Sequence, residues 1–230
     1  MFSAALKPIA QRDGSTHRVW VSEIPISFAE QVEADLFYQA LGRTIGRWST
    51  LEHYLGQMFT RVTNMEEVVS RSVFHSARSW RARYDMLMSA LDASASKPGV
   101  VESWKSVVSM ANSYAAFRNV LAHDHVQLAG LNKANGARLL VIRSAQADLR
   151  ASDRSPFYHR NHIENAGVNF HLLGATVVHA IAHPEGDQLG SPERLQWLLS
   201  LLPAQPFQAS IRRERQTDFE LGLQRQSFPH

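Results

Sequence analysis

The chain has 230 residues, no cysteine and a formal net charge of +3. Its length suffices for one domain with a substantial core, and the missing cysteine excludes disulfides, thiolate metal sites, iron–sulfur clusters and a cysteine nucleophile. Of the 24 basic residues only Lys7, Lys97, Lys105 and Lys133 are lysines; arginine's planar fork mildly favours an RNA or nucleotide partner, but the charges form no block and a GC-rich genome coding Arg for Lys is the better account of the bias.

Residues 1–29 carry Pro8, Gly14 and Pro25 without helical periodicity and read as an N-terminal arm, with a short strand at Arg18 to Ser22. The arm has no basic start followed by a long apolar run, so no secretory signal is expected. From there Phe37, Leu41, Ile45, Trp48, Leu51, Leu55, Phe59 and Val62 recur at spacings of three and four, which predicts an amphipathic helix over roughly 29–63. Gly42 and Gly46 are the places where it would break. A second stripe, Val73, Ala77, Trp80, Tyr84, Leu87 and Leu91, predicts one helix ending near residue 93, before the breaker cluster Ser94 to Gly99. A third stripe runs from Val101 through Trp104, Val108, Ala111, Ala115 and Arg118 to Ala122, with Tyr114 and Phe117 widening its apolar face. Arg118 thus falls on a core-facing line, where a charge needs a reason.

Beyond His123 two short apolar runs, at 125–128 and 138–142, flank a Gly/Asn-containing segment and predict a small hairpin inserted near 125–142. A polar loop from Ser152 to Pro156 leads into a fourth helix, roughly 159–183, closed by Pro184 and Gly186. Asn169, His171, His179 and His183 interrupt its apolar run and argue against a membrane span. A short helix over 191–202 opens on Ser191-Pro192-Glu193, a capping serine before a first-turn proline. The expected architecture is mainly α: a bundle of four long helices over 30–203 with the hairpin inserted, and residues 204–230 a tail or appended helix. The expected location is the cytoplasm.

The run Phe117-Arg118-Asn119-Val120-Leu121-Ala122-His123 closes the third stripe. Chance alone supplies about one Arg and His separated by four residues in a chain of this composition, and Arg12 to His17 and Arg154 to His159 have the same spacing. Context singles out Arg118: asparagine follows it, a small residue precedes the histidine, and a periodic helix carries all three. Asn119 and His123, four apart, share a helix face, whereas Arg118 and His123, five apart, diverge by about 140°. For both to meet one phosphate, either the helix frays near Ala122 or a groove between two subunits gathers them. The same residues have a structural alternative, in which Arg118 caps the helix carbonyls or pairs with a core carboxylate such as Glu52 while His123 and Asp124 end the helix.

Arg118, Asn119 and His123, at the end of a bundle helix, resemble the motif of the HEPN family, helical-bundle proteins of bacterial toxins, RNA processing and antiviral defence. The resemblance implies a metal-independent endoribonuclease that works without a cofactor, usually as a homodimer with both motifs in one cleft, and in some contexts restrained by an antitoxin or other partner protein. It implies Arg118, Asn119 and His123 as catalytic residues, with a 2′,3′-cyclic phosphate product. His123 would take the ribose 2′-hydroxyl proton, Arg118 would stabilise phosphate charge, and Asn119 would orient the histidine or touch the phosphate. Glu52, Asp124, His125 and Tyr114 are the candidate binding residues around them, Glu52 facing Arg118 across the bundle and His125 a rival general base. Related helical modules bind RNA, nucleotide or a protein partner without cutting, and that is the alternative reading.

Other constellations are weaker. His171, His179 and His183 lack the acid or clear third ligand of a helical metal site, so no metal is expected. His159 and His162 read as surface residues at the entry to the fourth helix. Arg78, Arg81 and Arg83, like Arg212, Arg213 and Arg215, read as solvated faces.

Overall fold

The computed structural model describes residues 28–130, 138–143, 157–183 and 191–208; the strand expected at Arg18 to Ser22, the loop from Ser152 to Pro156 and the tail arginines lie outside these residues. The fold is mainly helical. Helix α1 is Phe28–Thr63, α2 Glu67–Ser76, α3 Trp80–Asp92 and α4 Pro98–His123; strands β1 His125–Gly130, β2 Arg138–Arg143 and β3 Phe157–Tyr158 follow, then α5 Arg160–Ala182 and α6 Pro192–Ser200. No described helix is long and apolar enough to cross a membrane.

Helix α1 runs unbroken through both glycines. Gly42 and Gly46 lie on its exposed side, where a side chain would meet nothing, so their cost is only the propensity deficit of about 1 kcal/mol each. Packing of the opposite face outweighs it: Phe37, Trp48, Leu51, Leu55 and Met58 are all buried. The helix ends where Asn64 takes a left-handed conformation at φ 50°.

The second stripe is two helices rather than one. Ala77 is extended, and the Ser79 hydroxyl accepts the backbone N–H of Ala82 to cap α3. The Glu66 carboxylate caps α2 likewise, accepting from Val68 and Val69. A break of three residues leaves the next apolar positions in step, so spacing alone cannot reveal it.

Helices α1 and α5 form the principal pair and run parallel. Thr44 lies at Ile163 and Gly167, Trp48 at Phe170, and Leu51 at Gly174, both chains advancing together. The Thr44 hydroxyl donates to the Ile163 carbonyl at 2.9 Å, and a Cβ on Gly167 would stand 2.6 Å from the Thr44 hydroxyl oxygen. Only glycine allows this approach without displacing Thr44. Helix α3 runs antiparallel to α4, joined by Trp80 Nε1 donating to Asn112 and by the Asp92–Lys105 ion pair. Helix α6, capped by Ser191 as its sequence predicts, rests on the N-terminal half of α4, with Pro192 over Gly99 and Gln196 donating to Ser106.

The expected hairpin forms, with β1 and β2 antiparallel and Leu128 opposite Leu140. A third strand that no sequence pattern announces, β3, pairs with β2 and places Tyr158 opposite Ile142. Two residues are too few to display an alternation. Ile142 is fully buried, and β2 lies against α1.

Residues 201–208 are tied back onto the bundle. The Tyr114 hydroxyl donates to the Pro203 carbonyl at 2.7 Å, and Asn169 Nδ2 donates to the carbonyls of Pro206 and Gln208.

Candidate functional site at the end of α4

The C-terminal turns of α4 share one end of the bundle with the N-terminus of α5, the sheet and the 203–208 segment. Phe117 anchors them: its ring lies 4.7 Å from Tyr158 and 5.1 Å from Phe207, and those two rings are 5.2 Å apart. Leu121, one turn on, is buried too. With the 117/121 line facing inward, helix geometry turns Asn119 and His123 outward, and both are exposed.

Arg118 is half-buried, and its Nη1 donates to Asn119 Oδ1 at 3.1 Å. Among the described residues no carboxylate pairs with Arg118, and His123 has no hydrogen-bond or ionic partner. Helix α4 stays regular through His123: the Asp124 N–H donates to the Val120 carbonyl at 3.0 Å, and Asp124, extended, is the C-cap. The chain therefore does not fray near Ala122, and Arg118 and His123 leave one helix in different directions. His123 in the last turn also suits the negative end of the helix dipole.

The surrounding candidates separate. Glu52 does not face Arg118; it accepts from Arg83 Nη1 at 3.1 Å, with both side chains less than a fifth exposed. Tyr114 is fully buried, its hydroxyl is committed to Pro203, and burial raises its pKa far above the usual phenol value, so it acts as an internal tether. Asp124 lies close enough to Tyr158 to add its charge to the burial that raises that phenol's pKa. His125 opens β1 opposite Arg143; its side chain is outside the described set.

His159 and His162 are not surface residues of a loop. Both are half-buried, with their rings stacked at 5.4 Å, and His162 packs edge-on against Tyr158 and Phe207. The His159 backbone N–H donates to His162 Nδ1 at 3.1 Å, which requires that nitrogen to be unprotonated. No spacing rule could have found this packing, because Tyr158 ends a strand and His162 lies in the first turn of the next helix. At the C-terminal end of α5 the rings of His179 and the C-cap His183 are 4.9 Å apart, and among the described residues no three His, Asp or Glu side chains converge as metal ligands.

Burial, followed by the neighbouring His159, lowers the His162 pKa. The native chain then binds fewer protons than the unfolded one, whose histidine titrates near ~6.5, so stability is fully present above that pH and is lost as pH falls below it toward the folded pKa. The urea midpoint of His162→Asn, which keeps an acceptor and cannot titrate, is expected to fall less steeply than wild type below pH ~6.5. Identical slopes would remove His162 as the cause.

The chain is a mainly helical bundle carrying a small antiparallel sheet and an Arg118-Asn119-His123 run at the end of its fourth helix. No protein-family model matches the chain, and no curated protein or solved structure matches it either.

Proposed function

We propose that this protein is a metal-independent endoribonuclease of the HEPN type, built on the four longest stretches of its helical bundle and acting as a homodimer in a toxin, defence or RNA-processing role. The observation that carries this reading is the uncommitted state of the motif. A half-buried guanidinium held by Asn119 has no acidic partner among the described residues, and an exposed imidazole lies on the same helical end. The capping and Glu52-pairing alternatives lose their support, because Arg118 makes no cap bond and Glu52 is paired with Arg83.

In the reaction His123 accepts the proton of a ribose 2′-hydroxyl, and the 2′-oxygen attacks the adjacent phosphorus. Arg118 holds the phosphate oxygens as negative charge builds on them, and Asn119 keeps the guanidinium in place. The bond to the 5′-oxygen breaks, and that oxygen leaves with a proton from solvent water. The products are a 2′,3′-cyclic phosphate and a 5′-hydroxyl. The divergence of Arg118 and His123 on a regular helix is what recommends the dimer, since a cleft between two copies can collect side chains that one helix splays.

The same divergence favours a second reading in which one copy grips an RNA or nucleotide phosphate, or a partner protein, through Arg118 without cutting. Labelled RNA incubated in EDTA with wild type, Arg118→Ala and His123→Ala separates the two. Nuclease action predicts cyclic-phosphate ends from wild type alone; the binding module predicts intact RNA with weaker retention by Arg118→Ala. Cleavage equal in all three proteins would dismiss the proposed mechanism.

A further inference from the structure

Away from the α4 motif, the junction of α1, α2 and α3 gathers a second polar cluster around Gly56. A Cβ on Gly56 would lie 3.2 Å from the Phe74 ring and 3.7 Å from His75 Nε2, so the bare glycine lets α2 bring His75 directly onto α1. Glu52 and His53 stand one turn before Gly56 on the same helix, His53 sharing a 3.2 Å hydrogen bond with Gln57. Arg83 reaches in from α3 and is fixed at two points, Nε donating to the Ala77 carbonyl at 3.0 Å and Nη1 to Glu52 at 3.1 Å. Those bonds use two of the five N–H donors of a guanidinium. His53 and His75 are both exposed.

We propose that this junction is an oxyanion site that takes a phosphate group, with Arg83 as its fixed cation and His53 and His75 as its flanking donors. The charge balance explains why the ligand is an anion and why protons come with it. The groups facing His75 are Arg83 on α3, Arg71 on α2, and Glu52 and His53 on α1; Arg71 also pairs at 3.8 Å with exposed Glu67. With neutral imidazoles, the two arginines are offset by Glu52 and Glu67. With both imidazoles protonated, the cluster has two positive charges in excess. The cluster opposes protonation of His75: partial desolvation, then Arg83 and Arg71, lower its pKa. A bound phosphate reverses the balance, so binding takes up protons and tightens as pH falls. The site rests on none of the residues of the α4 motif and stands or falls independently of nuclease activity.

The test follows the imidazole resonances of the full-length protein by NMR at constant ionic strength, with inorganic phosphate in one arm and a nucleoside 5′-monophosphate in the other. The expected result is a saturable shift at His53 and His75, a rise in the His75 titration midpoint, and affinity that weakens from pH ~6 to ~8. Equal affinity in both arms assigns the site to the phosphate alone, and tighter binding of the nucleotide assigns it to a phosphoester; either supports the proposal. The paired variant Glu52→Gln/Arg83→Gln keeps a hydrogen bond across the helices while removing both charges, and is expected to bind phosphate at least about tenfold more weakly. His53→Asn/His75→Asn changes only exposed side chains and is expected to remove the tightening of binding as pH falls. Unsaturable shifts spread equally over His123, His171 and His183, or undiminished binding by the glutamine pair, would overturn it.

Discussion

Trp48→Ala is expected to lower the unfolding free energy by about 3–5 kcal/mol, measured as a fall in the urea midpoint at an unchanged m-value. Trp48 is 1% exposed and sits where three helices meet: its ring packs edge-on against Trp80 of α3 at 5.2 Å and against Phe170 of α5 at 5.1 Å. Truncation removes the transfer free energy of the indole, both aromatic contacts, each worth about 0.5–1.5 kcal/mol beyond area, and leaves a cavity that a parallel helix pair already in close contact at Gly167 and Gly174 is poorly placed to fill. Against a typical domain stability of about 5–15 kcal/mol, the loss is a large fraction. Trp48→Phe should cost much less, because it keeps an aromatic ring in the same slot and removes an indole N–H that has no acceptor among the described residues. Equal losses in the two variants would show that packing around Trp48 is not what joins α1, α3 and α5.

The legible parts of this fold are those that repeat. Trp48, Leu51 and Leu55 announced α1 because burial of one face imposes the helical period, and Ser191-Pro192 announced α6 because an N-cap must satisfy free N–H groups. The break at 77–79 was hidden, since a kink that preserves the apolar register leaves the period intact; the capping serine at 79 was its one local sign. Long-range pairing was hidden for a different reason. Nothing local distinguishes Arg83, bonded to Glu52, from Arg81, which pairs with Asp85 on its own exposed helix face, except that Arg83 lies three residues past Trp80, on the inward side. The same limit applies to Tyr114, whose hydroxyl partner lies 89 residues away. At the candidate site the sequence identified the Arg118-Asn119-His123 run, and the regular course of α4 removed one of the two geometries that could bring its ends together. The aromatic seat beneath it, Phe117 with Tyr158 and Phe207, combines three chain segments and had no signature in any one of them.

Mixing the inactive variants Arg118→Ala and His123→Ala is expected to restore about one quarter of wild-type RNA cleavage, if the proposed cleft takes Arg118 from one copy and His123 from the other. About half of randomly reassorted twofold dimers are mixed, and each mixed dimer has one site with both residues intact and one with neither. The expectation follows from α4 itself: five residues on a regular helix separate the two side chains by about 140°, and the α4 backbone holds its helical form to His123. Single-copy catalysis would require the long Arg118 side chain to wrap around the helix past Asn119, abandoning the 3.1 Å bond that now holds it. In that case each variant lacks one essential group in every site, and mixing restores nothing. Cleavage is read by the release of cyclic-phosphate ends, with reassortment confirmed by mass-tagged subunits. Confirmed mixed dimers that remain inactive would rule out the shared cleft while leaving the single-copy nuclease to be judged by the single variants.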